Sequence, residues 1–404
     1  MEESLIDFDG IVLAGLELIE KHDWTRRCIK AKFPIIVIDE YQDLGLPLHR
    51  MILALMKKAA ARVVAVGDPD QSIYGFTGAQ PGLLRTLQTL PDVEPIELRL
   101  NYRCAGKIIA ASKTLLTDPA EFKSHDGREG LLKIYKSKRD VKAQATYVFG
   151  TLIPGLLKEN PTWKPGDIAM LYRTLYEGTP IAEAADACGI RYFRLDNGAP
   201  IKRSRLIDWL TDAAKWCAGG WQSGSVSLST LLKTWRSLRP TLTRESDLIA
   251  ARKKLISVLF ASRDGSMSLR KWLEAVRKGV LDEMLNGEPG LADERDNLND
   301  ALEAAKEGSA LQDYTVEIFG NQGRSPDLIN LLTLHSSKGL EFEAVIMVGL
   351  EEGAFPSTRD NTKEKLEEAT RLFYVGVTRA KSMIHLMYAF TESPFITKIR
   401  GATK

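Results

Sequence analysis

The stretch Ile35-Ile36-Val37-Ile38-Asp39-Glu40-Tyr41-Gln42-Asp43 places two adjacent carboxylates directly after four β-favouring apolar residues. An unbroken apolar run of this length, entered through Pro34, predicts a short strand buried on both faces, as in a parallel sheet. Ligands of open α/β sheets bind outside the carboxyl ends of the strands. We therefore expect Asp39 and Glu40 to lie at a ligand-binding edge of an α/β domain.

Two acids at such an edge can divide two tasks between them. One carboxylate can hold Mg²⁺, which prefers oxygen ligands and keeps several waters, while the other orients or deprotonates a water. This is the logic of the acidic Walker B motif of nucleoside triphosphatases. An isolated Asp-Glu pair could equally cap the strand or a following helix, so the assignment depends on the rest of the chain.

Composition and length predict a protein of two or three folded domains. The 404 residues exceed what one core fills, and 44% hydrophobic with 27% charged residues is typical of an ordered chain. The formal net charge of +2 means that a nucleic-acid partner would need a local basic strip. The four cysteines form no CxxC pair, which argues against a zinc ribbon or a disulfide framework. The absence of a basic leader and of an apolar run near 18 residues predicts a cytoplasmic protein with no membrane partner.

The chain alternates strands and helices in two stretches. In the first, helices are predicted over residues 3–30 and 48–60, and strands over 35–38, 62–66 and 95–100. In the second, strands are predicted over 131–135, 168–173, 191–195, 329–334, 344–348 and 383–388, with helices over 141–157 and 181–188. Between the two halves of the second stretch, residues 206–322 read as helical, with Gly219-Gly220 and Pro289-Gly290 as breaks. The pattern predicts an α/β fold with two parallel sheets and a helical insertion.

Five segments, in order, resemble motifs II to VI of the superfamily 1 DNA helicases of the UvrD, Rep and PcrA type. They are Ile-Asp-Glu-Tyr-Gln-Asp (38–43), Gly-Asp-Pro-Asp-Gln-Ser-Ile-Tyr-Gly-Phe-Thr-Gly-Ala (67–79), Leu-Asn-Tyr-Arg (100–103), Thr-Leu-His-Ser-Ser-Lys-Gly-Leu-Glu-Phe (333–342) and Tyr-Val-Gly-Val-Thr-Arg-Ala (374–380). The resemblance implies two RecA-like domains. The first, residues 1–100, is incomplete and begins with a helical remnant; the second comprises residues 101–205 and 323–404, and residues 206–322 match the inserted 2B domain.

The resemblance also implies a nucleotide site for ATP and Mg²⁺. Asp39 would hold the metal and Glu40 would act as general base on the attacking water. Gln71 would sense the γ-phosphate, which Arg103 and Arg379 would reach as arginine fingers, a role worth roughly 10³ to 10⁵ in rate. On the nucleoside, Tyr102 would stack on the adenine, and Glu341 would accept from the ribose.

The DNA contacts implied by the resemblance involve aromatic faces and polar side chains. Tyr74 and Phe76 would stack on unstacked bases, a contact worth about 1 to 3 kcal/mol per base. Thr333, His335 and Lys338 would contact the strand and its phosphates. The implied partner is single-stranded or tailed duplex DNA, and the implied polarity of translocation is 3′ to 5′.

Each role has a structural alternative. Tyr102 and Phe76 could be core aromatics. Arg379 could pair with an acid such as Glu368, and His335 could be a satisfied buried histidine.

The chain departs from the family's pattern upstream of the acidic motif. The expected Gly-x-x-x-x-Gly-Lys-[Ser/Thr] loop, whose amides and lysine cradle the phosphates, is absent from the 404 residues, and Gly106-Lys107-Ile108 is no substitute. We expect a fragment or split subunit of a helicase, with the loop supplied from another polypeptide, and an unpaired edge on the strand 35–38. The rival interpretation is a non-hydrolysing DNA-binding or scaffolding remnant.

Overall fold

The computed structural model describes residues 7–116, 122–137, 139–195, 204–309, 311–321 and 325–402. Residues 3–6 of the predicted first helix and the predicted domain boundary at 322/323 lie outside these residues. The chain divides into two compact units, one comprising residues 1–145, 171–177 and 333–404 and the other residues 146–170 and 178–332. The division into three domains stays a prediction.

The elements follow one another in two α/β stretches with helices inserted in the second. The first stretch contains α1 (Phe8–Lys21), α2 (Asp23–Lys32), β1 (Ile35–Ile38), α3 (Leu46–Lys57), β2 (Arg62–Ala65), α4 (Gly82–Gln88), β3 (Leu100–Asn101), α5 (Gly106–Lys113) and β4 (Lys123–Ser124). The second contains β5 (Leu131–Ser137), α6 (Val141–Tyr147), α7 (Ile153–Glu159), β6 (Ile168–Tyr172), α8 (Leu175–Ala187) and β7 (Tyr192–Leu195). The inserted helices are α9 (Arg205–Lys215), α10 (Trp221–Ser223), α11 (Leu228–Ser237), α12 (Glu245–Ala261), α13 (Leu269–Val276), α14 (Asp282–Gly287), α15 (Ala292–Ala304) and α16 (Val316–Gly320). The chain then forms β8 (Ile329–Thr333), β9 (Phe342–Met347), α17 (Lys363–Val377), β10 (Ala380–Ala389) and α18 (Pro394–Ala402).

The predicted α/β class is confirmed by a six-stranded parallel sheet with the order β5-β10-β9-β6-β8-β7. Strand β10 pairs in parallel with β5 on one side, where Ile384 lies opposite Leu132, and with β9 on the other, where Ile384 lies opposite Val345. All residues of β6 and β8 are buried, as expected for continuous apolar runs covered on both faces. The strands predicted for the second sheet are thus confirmed.

The prediction that β1 is buried on both faces is wrong. Strand β1 pairs in parallel with β2, with Ile35 opposite Arg62, and the two form a two-stranded sheet. One face packs through Ile36 on the cluster that contains Leu55, whereas Val37 on the other face is 66% exposed. Since β2 is the one strand that pairs with β1 in the described ranges, the unpaired edge is confirmed there.

Two further predictions of secondary structure are corrected. The segment 95–100 is not a strand: β3 starts only at its last residue, and Ile96 and Leu98 are 78% and 77% exposed. β-favouring residues form a strand only where a neighbouring strand offers hydrogen bonds, and none pairs with 95–99 in the described structure. The predicted helix 3–30 is broken at His22, whose backbone is extended (φ −113°, ψ 112°). The Arg26 Nη1 donates to the carbonyl oxygens of Ile19 (2.9 Å) and Glu20 (3.1 Å) at the end of α1.

The inserted helices have a core of their own. Its largest side chains below 2% exposure are Trp209, Trp235 and Trp272, and Trp209 Nε1 donates to the carbonyl oxygen of Leu231 at 3.1 Å. The described residues between 204 and 321 contain helices and no strand longer than an isolated bridge. Across the parts of the chain that the structure covers, no helix combines the length and apolarity needed to cross a membrane.

The exposed face of β1 predicts an unusual tolerance to a polar substitution. Val37→Thr should change the free energy of unfolding by less than about 0.5 kcal/mol, because the side chain is already in water. The same substitution at Val345, which is fully buried in β9, should cost about 1 to 3 kcal/mol by burying a hydroxyl. Urea unfolding followed by circular dichroism compares the two variants, and equal losses would contradict the observed exposure.

The buried His385 on β10 predicts acid sensitivity. Burial lowers the pKa of this imidazole from 6.5 to about 4, helped by the charge of Lys133; its Nδ1 lies 3.1 Å from the Tyr135 hydroxyl. Since the folded-state pKa is depressed, the stabilisation is present above pH 6.5 and is lost as the pH falls toward 4, by at most about 3 kcal/mol. His385→Phe should flatten the dependence of unfolding free energy on pH between 7 and 4, measured by urea unfolding. An unchanged slope would contradict a neutral His385.

Candidate active site

Asp39 and Glu40 occupy the turn at the carboxyl end of β1. The Glu40 N–H donates to Asp39 Oδ1 at 2.9 Å, and Glu40 has a left-handed backbone with φ of 53°. A non-glycine residue in this conformation costs about 1 to 3 kcal/mol and persists only where its surroundings hold it. Both residues are exposed, so their carboxylates face water at the sheet edge, as the sequence predicts.

Gln42 holds the turn after β1 against the turn after β2. Its side chain is fully buried; Nε2 donates to Glu40 Oε2, and Oε1 accepts the Asp68 N–H at 3.0 Å. Gly67 is required beside it, because a Cβ at this position would overlap Gln42 Oε1 and approach the Tyr41 nitrogen to 3.1 Å. Gln42 therefore links the turn after β1 to the turn after β2.

The hydrogen bonds continue from this joint to Arg379. Asp68 Oδ2 accepts from Gln71 Nε2 at 2.7 Å, and Gln71 Oε1 accepts from Arg379 Nη2 at 3.1 Å. Together with the bonds of Gln42, these contacts make an unbroken chain of side-chain and amide hydrogen bonds from Glu40 to Arg379. We call this chain of residues, Glu40, Gln42, Asp68, Gln71 and Arg379, the acid-to-arginine network.

Arg379 is 1% exposed and is fixed by the protein on several sides. Its Nε donates to the Val375 carbonyl oxygen at 3.0 Å, and Nη1 donates to the Leu340 carbonyl oxygen at 3.2 Å. Burial lowers the pKa of Arg379 to about 10, so the guanidinium keeps its charge at neutral pH. The alternative pairing with Glu368 is wrong: in the described structure Arg379 donates to the Gln71 amide and to backbone oxygens.

Arg103 and Glu341 lie in contact with each other. Arg103 Nε donates to Glu341 Oε2 at 2.7 Å, and Lys381 Nζ lies 2.8 Å from Glu341 Oε1. The hydrogen bonds of Lys381 and Arg103 lower the pKa of Glu341, which is therefore anionic at neutral pH. The structure thus brings Arg103, the predicted γ-phosphate ligand, into contact with Glu341, the predicted ribose ligand.

Tyr102 is 71% exposed, so its alternative as a core aromatic is wrong. The ring of His125 covers it with centroids 4.5 Å apart and planes inclined by 32°. The position of His125 is fixed by its backbone N–H, which donates to the Asn101 carbonyl oxygen at 2.9 Å. Tyr102 is therefore a supported, accessible flat surface.

Tyr74, Phe76 and His335 form one aromatic cluster. The Tyr74 and Phe76 centroids are 6.0 Å apart in an edge-to-face arrangement, and the His335 centroid lies 6.1 Å from Phe76 and 6.4 Å from Tyr74. Phe76 is 72% exposed, so it too is not a core aromatic. Burial, and then the charge of Arg173, lower the pKa of His335, which favours the neutral ring. The cluster therefore offers an accessible apolar surface at the Phe76 ring.

Thr333 and Lys338 point into the protein rather than to solvent. Thr333 is 7% exposed, and its Oγ1 lies 2.7 Å from Ser336 Oγ. The Lys338 side chain is 8% exposed, and Nζ lies 2.5 Å from Asp43 Oδ2 and 3.6 Å from Glu40 Oε2. The DNA contacts assigned to these two residues stay predictions.

Several residues of the site were not singled out from the sequence. Gln42 and Asp43 lie inside the motif that carries the acids, and Lys381 directly follows the arginine motif, so adjacency was an available signal. Arg371 gave none: on α17 it donates from Nε to the Ser72 carbonyl oxygen at 2.7 Å and fixes the loop of Gln71. His125 lies 23 positions after Tyr102 and is recognised only from the folded chain.

Asp39 is the residue that could hold a magnesium ion shared with a bound phosphate. The described residues contain no group of three or more His, Cys, Asp or Glu side chains arranged around a metal position. Mg²⁺ in nucleotide sites uses one or two carboxylates, substrate phosphates and waters. The exposed carboxylate of Asp39 suits that mode of binding.

Comparisons with known proteins point to one family. Residues 1–91 match the family described as UvrD/REP helicase N-terminal domain, and residues 280–391 match the UvrD-like helicase C-terminal domain. A probable DNA helicase II homolog of Rickettsia conorii is 29% identical, with 98% of this chain and 67% of the relative covered. The ATP-dependent DNA helicase Rep of Escherichia coli is 27% identical (94% and 63% covered), and DNA helicase II of Escherichia coli is 28% identical (96% and 60% covered). The chain spans from 60% to 67% of the length of these three relatives.

Substitutions of buried Gln42 test its hydrogen bond with Asp68 and its hydrogen bond with Glu40 separately. Gln42→Leu should lower the free energy of unfolding by about 1 to 3 kcal/mol, because the Asp68 N–H loses its acceptor. Gln42→Glu keeps that acceptor but places a second carboxylate against Glu40, so its loss should be greater at pH 8 than at pH 4. Urea unfolding at the two pH values measures both; a Leu variant as stable as the wild type would contradict the joint between the turns.

Proposed function

Because the chain belongs to the UvrD/Rep-type superfamily 1 DNA helicases, we propose that residues 1–404 form the water-activating and DNA-holding part of an ATP-dependent motor. The acid-to-arginine network carries this proposal, since it connects the acids after β1 with an arginine far along the chain. A change in the contacts of Glu40 can therefore alter the hydrogen bonds of Arg379, and the reverse. The motor would move 3′ to 5′ along single-stranded DNA, including the tail of a duplex.

In the proposed site, Asp39 holds the Mg²⁺ of MgATP and Glu40 takes the proton of the attacking water. The Glu40 carboxylate is 51% exposed and is oriented by the Gln42 amide, which leaves its second oxygen open to a water. Gln71 senses the γ-phosphate. Its amide is shared between Asp68 and Arg379, so a bound phosphate would compete directly with these two contacts.

Arg103 and Arg379 are the proposed arginine fingers. Arg379 is preorganised by backbone acceptors, and its permanently charged planar fork suits a phosphate better than lysine would. Arg103 is held by Glu341, the proposed ribose ligand. Nucleotide binding would then exchange the Arg103–Glu341 ion pair for contacts of each residue with ATP, while Tyr102 stacks on the adenine over its His125 support.

The aromatic cluster is the proposed base-stacking surface for the DNA strand. Exposed Phe76 supplies an open ring, and Tyr74 and His335 hold its edge. Stacking on such a surface tolerates any base sequence. Thr333 is proposed as the strand contact beside His335.

The phosphate-cradling loop of this motor would come from residues outside the 404, in another polypeptide or in the same one. Without its amides and lysine the triphosphate lacks its main anchor, so Asp39 and Glu40 alone would face a weakly held substrate. We therefore expect the 404 residues to bind single-stranded DNA but to hydrolyse ATP slowly or not at all.

The test is ATP hydrolysis by the purified 404-residue chain with and without a dT oligonucleotide, beside anisotropy measurements of dT binding. Glu40→Gln is the catalytic variant, and Glu159→Gln, an exposed glutamate of α7, is the matched control. The expected result is dT binding that weakens with salt, by about 0.7 in the log-log slope for each phosphate contacted, and little turnover in any variant.

Three results would change the proposal in different ways. DNA-stimulated turnover that Glu40→Gln lowers at least 100-fold, while Glu159→Gln keeps it, would support the assigned base and overturn the need for an external loop. Absence of dT binding by the wild-type chain would overturn the DNA-holding role. Binding without turnover, unaffected by any added loop-bearing chain, would favour the non-hydrolysing remnant.

A further inference from the structure

Lys338 lies between the acids after β1 and the aromatic cluster. Its Nζ is 2.5 Å from Asp43 Oδ2 and 3.6 Å from Glu40 Oε2, and it lies over the Tyr74 ring, 5.1 Å from the centroid. We propose that Lys338 is a positioning residue that ties the Glu40–Asp43 turn to Tyr74, so that base stacking on the cluster acts on the water-activating carboxylate. The inference rests on the proposed roles of Glu40 and Tyr74.

The charge balance around Asp43 supports this role. Its Oδ1 is buried and has no hydrogen-bond partner in the described structure, so Lys338 is the cation that compensates the carboxylate. Burial raises the pKa of Asp43 and the Glu40 charge adds to this, whereas the hydrogen bond and charge of Lys338 oppose it. The groups facing Asp43 are thus Lys338, Glu40 and the Tyr74 phenol, and Lys338 alone among them favours ionised Asp43.

Tyr74 completes the connection on the side of the aromatic cluster. Burial raises the pKa of the Tyr74 phenol, and so do the charges of Asp43 and Glu40. The same ring contacts Phe76 at 6.0 Å and His335 at 6.4 Å. A base that stacks on exposed Phe76 therefore acts on the Tyr74 ring, which also contacts the Lys338 ammonium.

The burial of Lys338 distinguishes this role from a phosphate contact. Its side chain is 8% exposed and already lies near two carboxylates, so a DNA phosphate would have to replace both. A lysine that contacts phosphate releases a counterion and steepens the salt dependence of binding. A lysine that acts inside the protein leaves that slope unchanged.

The first experiment needs neither ATP nor DNA. Without Lys338, the folded-state pKa of Asp43 rises further above its unfolded value, so stability present at acid pH is lost as the pH rises. The melting temperature of Lys338→Met should therefore fall more at pH 8 than at pH 5. Adding Asp43→Asn should recover most of the extra loss at pH 8, and Lys338→Arg should melt close to the wild type. A loss that is equal at both pH values and is not repaired by Asp43→Asn would overturn the charge role.

The second experiment follows transmission from the cluster. Hydrogen exchange of residues 39–44 is measured with and without a dT oligonucleotide, beside the salt dependence of dT binding. In the wild type and in Lys338→Arg, dT should slow exchange in this turn at least several-fold; in Lys338→Met the effect should vanish with an unchanged salt slope. Lys254→Met, which instead removes a lysine paired with Glu283 in the inserted helices, is the matched control and should keep the effect.

The remaining outcomes also decide the question. A salt slope that drops by about 0.7 in Lys338→Met would identify a phosphate contact and overturn the inference. Retained protection of residues 39–44 in Lys338→Met would overturn the transmission. A wild-type chain that binds no dT would overturn the proposed DNA role together with the transmission, whereas the pH-dependent repair by Asp43→Asn would still establish the internal ion pair.

Discussion

The parallel pairing of β1 with β2 is the constraint on which the site depends. Because parallel strands end at the same edge, the turns that carry Glu40 and Gln71 meet there without any further element between them. Buried Gln42 then fixes their separation with one amide, and Gly67 leaves the space that this amide occupies. A register shift of one residue would separate these groups and would turn the apolar side chains of β1 away from Leu55.

Charge compensation organises the rest of the site. Arg379 keeps its charge in a buried position because backbone oxygens and the Gln71 amide solvate it. Glu341 lies between two cations, and Lys338 balances the carboxylate of Asp43. These contacts compensate the buried charges within the protein and leave Asp39 and Glu40 exposed. The groups proposed to act on MgATP are therefore the ones that water already reaches.

Sequence and structure disagree where burial depends on partners that are distant in the chain. Val37, Ile96 and Leu98 have the residue types of buried strand positions, and all three are exposed. A strand is buried only if other elements cover both of its faces, and local pattern does not report whether they do. Strands β6 and β8 of the six-stranded sheet have such cover, and there the apolar runs predicted the elements to within a few residues.

The sequence by itself determined the helicase family, the α/β class and the residue types at the end of each strand, because these depend on local periodicity and on motifs of fixed spacing. Only the tertiary structure decided which of those residues touch. Arg103 pairs with Glu341 across 238 positions, Arg379 bonds Gln71 across 308, and Lys338 bonds Asp43 across 295. Contacts at such separations are set by how β1, β2 and the segments after β8 and α17 pack, and no spacing rule along the chain encodes them.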